Sequence, residues 1–155
     1  MTHYEVSRYA NSRLPLFMLN GTISKDWTFQ WGRGRHQLGC CRYRSKQILV
    51  SKYYVEVACD EDIKDTINHE IAHIIAGHRA GHGPEWKQAC SVTGAKPVRC
   101  GKTVDIPSKY VGTCPTCKCV YKANRVLKEM NRRICAKKAC QKPGVYVQWR
   151  YNVGV

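Results

Sequence analysis

The pentad His69-Glu70-Ile71-Ala72-His73 carries the most directly readable chemistry of the chain. On an α-helix, residues four apart stack on one face, so both imidazoles can turn toward a single metal ion. Glu70 lies on the flank of that face, where a carboxylate can take a proton from an ion-activated water without itself being a ligand. The pattern is that of metal-assisted hydrolysis, with zinc as the metal that suits imidazole ligands. Alone it is a weak signal, because these residue types meet at this spacing in unrelated helices.

A catalytic zinc takes three protein ligands and keeps one position for water, so a third ligand must follow His73. Gly77 should end the helix, and Gly81 and Gly83 flank His82, allowing a sharp turn that brings its ring back to the metal. His78 stands about 500° around the helix from His73 and points elsewhere. Glu85 is the alternative carboxylate ligand. Ala76 and Arg79 stand where a metzincin needs Gly and His, which argues against that pattern. The expected set is His69, His73 and His82 as ligands and Glu70 as general base, with His78, Arg79 and Tyr110 as candidate second oxyanion donors.

Cys114-Pro115-Thr116-Cys117 and the pair Cys135 and Cys140 have the spacing of a structural tetrathiolate zinc site. Cys119 either replaces one ligand or stays free; the competing reading is a set of unligated core cysteines. Cys40, Cys41, Cys59, Cys90 and Cys100 show no pairing pattern and are expected to be small buried residues.

Several elements must position these groups. Ile63, Ile67, Ile71 and Ile74 form the apolar stripe of a docked helix and fix the direction of His69 and His73. Asp60, Glu61 and Asp62 suit the positive end of that helix dipole, and Asp65 or Asn68 could orient a ligand histidine. Pro84 to Thr93 reads as a second helix closed by Gly94, with Trp86 and Cys90 packing it against the core and supporting His82. Upstream, a short helix over residues 2 to 13 is expected to end at Pro15. Asn20-Gly21 marks a turn. Trp27, Phe29 and Trp31 alternate as one buried face of a strand, followed by strands over Leu38–Tyr43 and Gln47–Ser51. Their short links predict an antiparallel meander. Tyr53 to Val57 fits either a helix or the end of the sheet. Residues 95 to 112 read as an irregular connection lining the cleft.

The 155 residues include ten cysteines and carry a net charge of +15. No apolar run reaches the roughly 18 residues of a membrane span, and Met1 to Arg13 lacks the apolar stretch of an export signal. The expectation is a cytoplasmic protein with reduced thiols and no membrane partner. Residues 96–155 hold 14 Lys/Arg against 2 Asp/Glu, a surplus of +12, whereas residues 1–95 carry only +3. That surplus suits phosphates, and Tyr146, Trp149 and Tyr151 among the cations could stack on unpaired bases; the alternatives are a solvated basic surface and an ordinary final strand.

The pentad, followed by Gly81-His82-Gly83-Pro84-Glu85-Trp86-Lys87, resembles the SprT-like (Spartan-type) zinc metallopeptidases. The upstream segments Trp27-Thr28-Phe29, Leu38-Gly39-Cys40, Arg42-Tyr43-Arg44 and Ile48-Leu49-Val50-Ser51 and the closing cysteine ribbon are similar too, extending the resemblance over residues 20 to 145. It implies an α+β fold: a zincin-like core, with a small antiparallel sheet beside the metal-binding helix, over residues 1–112 and a basic zinc ribbon over 113–155. It also implies one catalytic zinc on His69, His73 and His82, one structural zinc on Cys114, Cys117, Cys135 and Cys140, and Glu70 as catalytic base. The implied substrates are proteins held on or crosslinked to DNA, single- or double-stranded, which would place the enzyme at the nucleoid. Two other readings stay open: a non-catalytic zinc-containing nucleic-acid-binding module, and a zinc-organised adaptor for another protein.

Overall fold

The computed structural model describes residues 1–99 and 105–152, so Cys100 and part of the 95–112 connection lie outside the described residues. The chain divides into two units, Met1–Ile106 and Pro107–Val155. Both helices and small sheets are present, an α+β arrangement. No described helix is long and apolar enough to cross a membrane.

The first unit is built around α3, Asp60–Ala76. Ile63, Ile67 and Ile71 on this helix are fully buried, and Ile74 packs half-buried at the edge of the same core. Each such side chain removed from water contributes about 1.5–3 kcal/mol, so the stripe holds the opposite, histidine-bearing face in a fixed direction. The first turn carries Asp60, Glu61 and Asp62, with no side-chain cap from Cys59, so the acids act on the helix dipole. Cys59 is exposed there, and Cys40 and Cys41 are half-buried; only Cys90 among the described unpaired cysteines is fully enclosed as expected.

Helix α1 spans His3–Leu19 and begins with a capping box: Thr2 Oγ1 accepts from Glu5 N, and Thr2 N donates to Glu5 Oε2 at 2.7 Å. It runs through Pro15 instead of ending there. Leu14 and Phe17 are both buried, and their burial offsets the roughly 3 kcal/mol that an internal proline costs. Asn11, whose carbonyl loses its partner, is exposed to water.

The sheet consists of β1 (Thr28–Gly32), β2 (Gly39–Arg42) and β3 (Gln47–Ser51), in the order β1-β3-β2. β2 is antiparallel to β3, with Cys40 opposite Leu49, but β1 is parallel to β3, with Phe29 opposite Ile48. The sheet is therefore mixed, not the small antiparallel meander expected from link lengths. The reason is visible in β3: Ile48, Leu49 and Val50 are buried in succession, so this strand needs cover on both faces and takes the centre. Residues 33–38 pass across the sheet end to leave room for it, tied by Ser51 Oγ donating to Gly34 O at 2.6 Å and Ser51 N to Leu38 O at 2.8 Å. On β1, Phe29 is buried and Trp31 half-buried, and Trp27 just before the strand is buried too; these aromatics serve the core. The ambiguous segment after β3 is a single helical turn, α2 (Lys52–Val55).

Helix α4, Pro84–Thr93, closes on Gly94 and buries Trp86 and Cys90 completely. Arg13 of α1 joins α3 to α4, donating to Asn68 Oδ1 at 3.2 Å and to Thr93 O at 2.7 Å.

In the second unit, β4 (Tyr110–Thr113) pairs antiparallel with both β5 (Val120–Ala123) and β6 (Gln148–Tyr151). Because β4 is the central strand, this unit starts at Pro107 rather than at residue 113. Buried Cys114, Cys135 and Cys140 form its small core.

Candidate functional site

One turn of α3 separates His69 from His73, and their ring centroids lie 5.0 Å apart. The helix stops at Gly77, whose φ of 85° is open to glycine and strained for other residues. A short 3-10 turn over His78–Ala80 follows, and Gly81 at φ 53° reverses the chain. That reversal returns His82, placing its Nε2 3.2 Å from His69 Nε2 and its ring 4.7 Å from that of His73. Ligand atoms of His69, His73 and His82 all lie within 4.8 Å of one another. Four nitrogens around a tetrahedral zinc at its usual bond length stand about 3.3 Å apart, so the 3.2 Å spacing fits such an ion. The indole of Trp86, fully buried at the start of α4, packs against all three rings at 4.7, 5.5 and 4.6 Å. Exposed His78 packs edge-on against Tyr43 instead, and Glu85 is exposed and outside the cluster.

The second cluster joins Cys114, Cys117, Cys135 and Cys140. Lys118 N donates to Cys114 O and Cys114 N to Cys119 O, each at 3.0 Å, folding the Cys-Pro-Thr-Cys segment into a tight knuckle with Lys118 at φ 59°. Cys117 Sγ lies 3.7 Å from Cys135 Sγ, close to the roughly 3.8 Å edge of a tetrahedral zinc tetrathiolate. Cys119 is outside the four; its carbonyl closes the knuckle and its half-buried side chain packs beside them. The Tyr121 oxygen accepts the Ala136 N–H at 2.9 Å and lies 2.9 Å from Cys135 Sγ, to which its O–H donates once that sulfur is a thiolate.

A family model described as the SprT-like family matches residues 10–105. The chain belongs to the SprT-like family. No curated protein and no solved structure matches it. The matched residues of this SprT-like chain include the whole histidine cluster and Glu70 and end before the cysteine cluster. The match identifies a metallopeptidase-type domain.

The electrostatics of the SprT-like domain suit metal ligation. Burial, then the proximity of His82, pushes the His69 pKa down to about 4; burial, then His69 and His82, does the same for His73. Both rings are therefore neutral at pH 7, with lone pairs available. His82 is lowered by burial and by nearby Arg99. Glu70 is 6 % exposed, and burial raises its carboxyl to about 8. In the cysteine cluster, backbone hydrogen bonding from Cys117 lowers Cys114 to about 7, while hydrogen bonding with Cys117 and burial raise Cys140 to about 12. The first thiol thus ionises readily, and the last needs a cation to do so.

Sequence reasoning missed one support and misassigned two residues. Tyr43 O–H donates to His73 O at 2.6 Å, fastening the last turn of α3 to the end of β2. Asn68 and Asp65 do not orient a histidine in any described contact: Asn68 accepts from Tyr9 and Arg13, and Asp65 accepts from Lys96 N at 2.7 Å. None of these contacts follows a spacing rule, since each joins residues tens of positions apart.

Proposed function

We propose that this SprT-like protein is a zinc-dependent metalloendopeptidase with a zincin-like core, acting on proteins associated with or crosslinked to DNA in the cytoplasm, at the nucleoid. The observation that carries the peptidase reading is the convergence of His69, His73 and His82 beside buried Glu70. His69, His73 and His82 would hold the catalytic zinc, and Cys114, Cys117, Cys135 and Cys140 a structural one. Zinc, when bound, supplies Lewis acidity and brings the pKa of a coordinated water from 15.7 toward about 7. Glu70 accepts the proton of the attacking water at a carboxylate oxygen and returns it to the nitrogen of the departing amine. A carboxylate held at about 8 is basic enough for the first transfer, and its conjugate acid can make the second near neutral pH. Trp86 excludes water from one side of the rings and keeps them in register.

The DNA part of the proposal rests on the +12 surplus of residues 96–155 and on exposed Tyr146 and Tyr151 among those cations. A basic module that tethers the enzyme to DNA raises the local concentration of bound protein substrates and removes the need for sequence recognition. The test is zinc content together with cleavage of a DNA-binding or unstructured protein, with and without DNA, for wild type and Glu70→Gln. Two zinc per chain in both proteins, with DNA-stimulated cleavage in wild type alone, is the expected result. Equal inactivity of both with DNA binding intact would replace the peptidase by a closed, non-catalytic binding module.

A further inference from the structure

The residues 39, 41 and 43 share one face of β2 and its continuation, and this face lies along α3. Tyr43 reaches His73 O, Cys41 is half-buried with its thiol raised by burial and then by the Glu70 carboxylate, and Gly39 faces Thr66 and Glu70. Side-chain size thus grows along the strand as the histidine end of the helix is approached. At Gly39 there is no room for any side chain. A Cβ there would stand 2.5 Å from Glu70 Oε1, 3.0 Å from Glu70 Cγ and 2.8 Å from Thr66 Cγ2. Gly39 is not in the left-handed region, so its backbone conformation is open to alanine. Close approach alone requires the glycine.

Thr66 cannot easily give way, because its hydroxyl donates to Asp62 O at 2.9 Å and lies 3.2 Å from Tyr54 OH. Glu70 is the movable partner. We propose that Gly39 is a positioning residue: the missing Cβ lets the β2 backbone lie against α3 and so sets where the Glu70 carboxylate stands. This deepens the peptidase reading and rests on Glu70 as its base. A methyl group at position 39 pushes on Thr66 and swings the carboxylate out of its place, while His69, His73 and His82, packed on Trp86, stay free to bind metal.

The test is a double-mutant cycle on the full-length, zinc-loaded chain with Gly39→Ala, Glu70→Ala and the double variant. Gly39→Ala should lower kcat about 100-fold, the scale of an ångström-sized misplacement, with KM within about twofold and two zinc per chain retained. In thermal unfolding, Gly39→Ala should destabilise wild type more than it destabilises Glu70→Ala, because the collision with Glu70 is gone there while that with Thr66 is common to both. Should Gly39→Ala fail to fold, the same cycle in a Thr66→Ser background, which keeps the hydroxyl and lacks Cγ2, removes the second collision, and there the double variant should fold. Near-wild-type kcat in Gly39→Ala, additive stability effects, or an unfolded double variant in that background would each overturn the proposal. A wild type that cleaves nothing would sink the peptidase reading, whereas the stability cycle would still decide whether Gly39 places Glu70.

Discussion

Replacing Glu70 by Gln should make the metal-free protein more stable at alkaline pH, and the structure sets the size of the gain. Burial holds the native Glu70 carboxyl at about 8 against 4.5 for the same group in an unfolded chain. Between those values the native state keeps a proton that the unfolded state has released. Stability therefore falls as pH rises through this window and levels off above about 8. At 1.36 kcal/mol per pKa unit, the loss between pH 5 and pH 8 reaches about 3 kcal/mol, and local relaxation around the charge lowers it toward about 1. Glu70→Gln cannot ionise and escapes this loss; any cost of burying its amide is the same at both pH values. Urea unfolding of chelator-treated wild type and variant at pH 5 and pH 8, followed by tryptophan fluorescence, reads the difference. With a slope of about 2 kcal/mol/M, the wild-type midpoint should drop by about 0.5–1.5 M more than that of the variant. Zinc should shrink the gap, because a cation nearby favours the carboxylate. Parallel midpoints for the two proteins across this pH range would refute the idea that burial holds Glu70 protonated.

Two further outcomes test other parts of the structure. Pro15→Ala restores a donor to the Asn11 carbonyl at an exposed position of α1 and should stabilise the first unit by about 1–3 kcal/mol, read as a rise of several degrees in Tm; an unchanged or lower Tm would mean that the missing bond costs α1 nothing. Tyr121→Phe removes the O–H that supports Cys135, and zinc from the cysteine cluster should pass to a competing chelator about 10-fold more readily, with the histidine site unaffected.

The histidine and cysteine clusters were legible because helical stacking and short ligand spacings are local rules that residue types alone reveal. The reversal at Gly81 and the helix from Pro84 to Thr93 were readable for the same reason. Sheet order was not. A link such as residues 33–38 is short enough for a hairpin yet crosses the sheet, and only the run of three buried side chains in β3 pointed to a central strand. Pro15 misled because a local propensity met a larger tertiary gain from Leu14 and Phe17. Gly39 and Tyr43 act across helix and strand, and nothing in their immediate neighbours signals contact with Glu70 or His73.

α3 touches α1, β2, β3 and α4, and Arg13 ties both it and the end of α4 to the N-terminal helix, with Tyr9 as a second donor to Asn68. A helix gripped from so many sides cannot open by itself. Its amide protons should exchange with solvent only through unfolding of the whole first unit, placing them among the slowest in the chain. Heating should therefore leave a mixture of fully competent and fully unfolded molecules, with no population of half-active ones, and the amide-exchange rate of α3 should track the rate at which activity is lost.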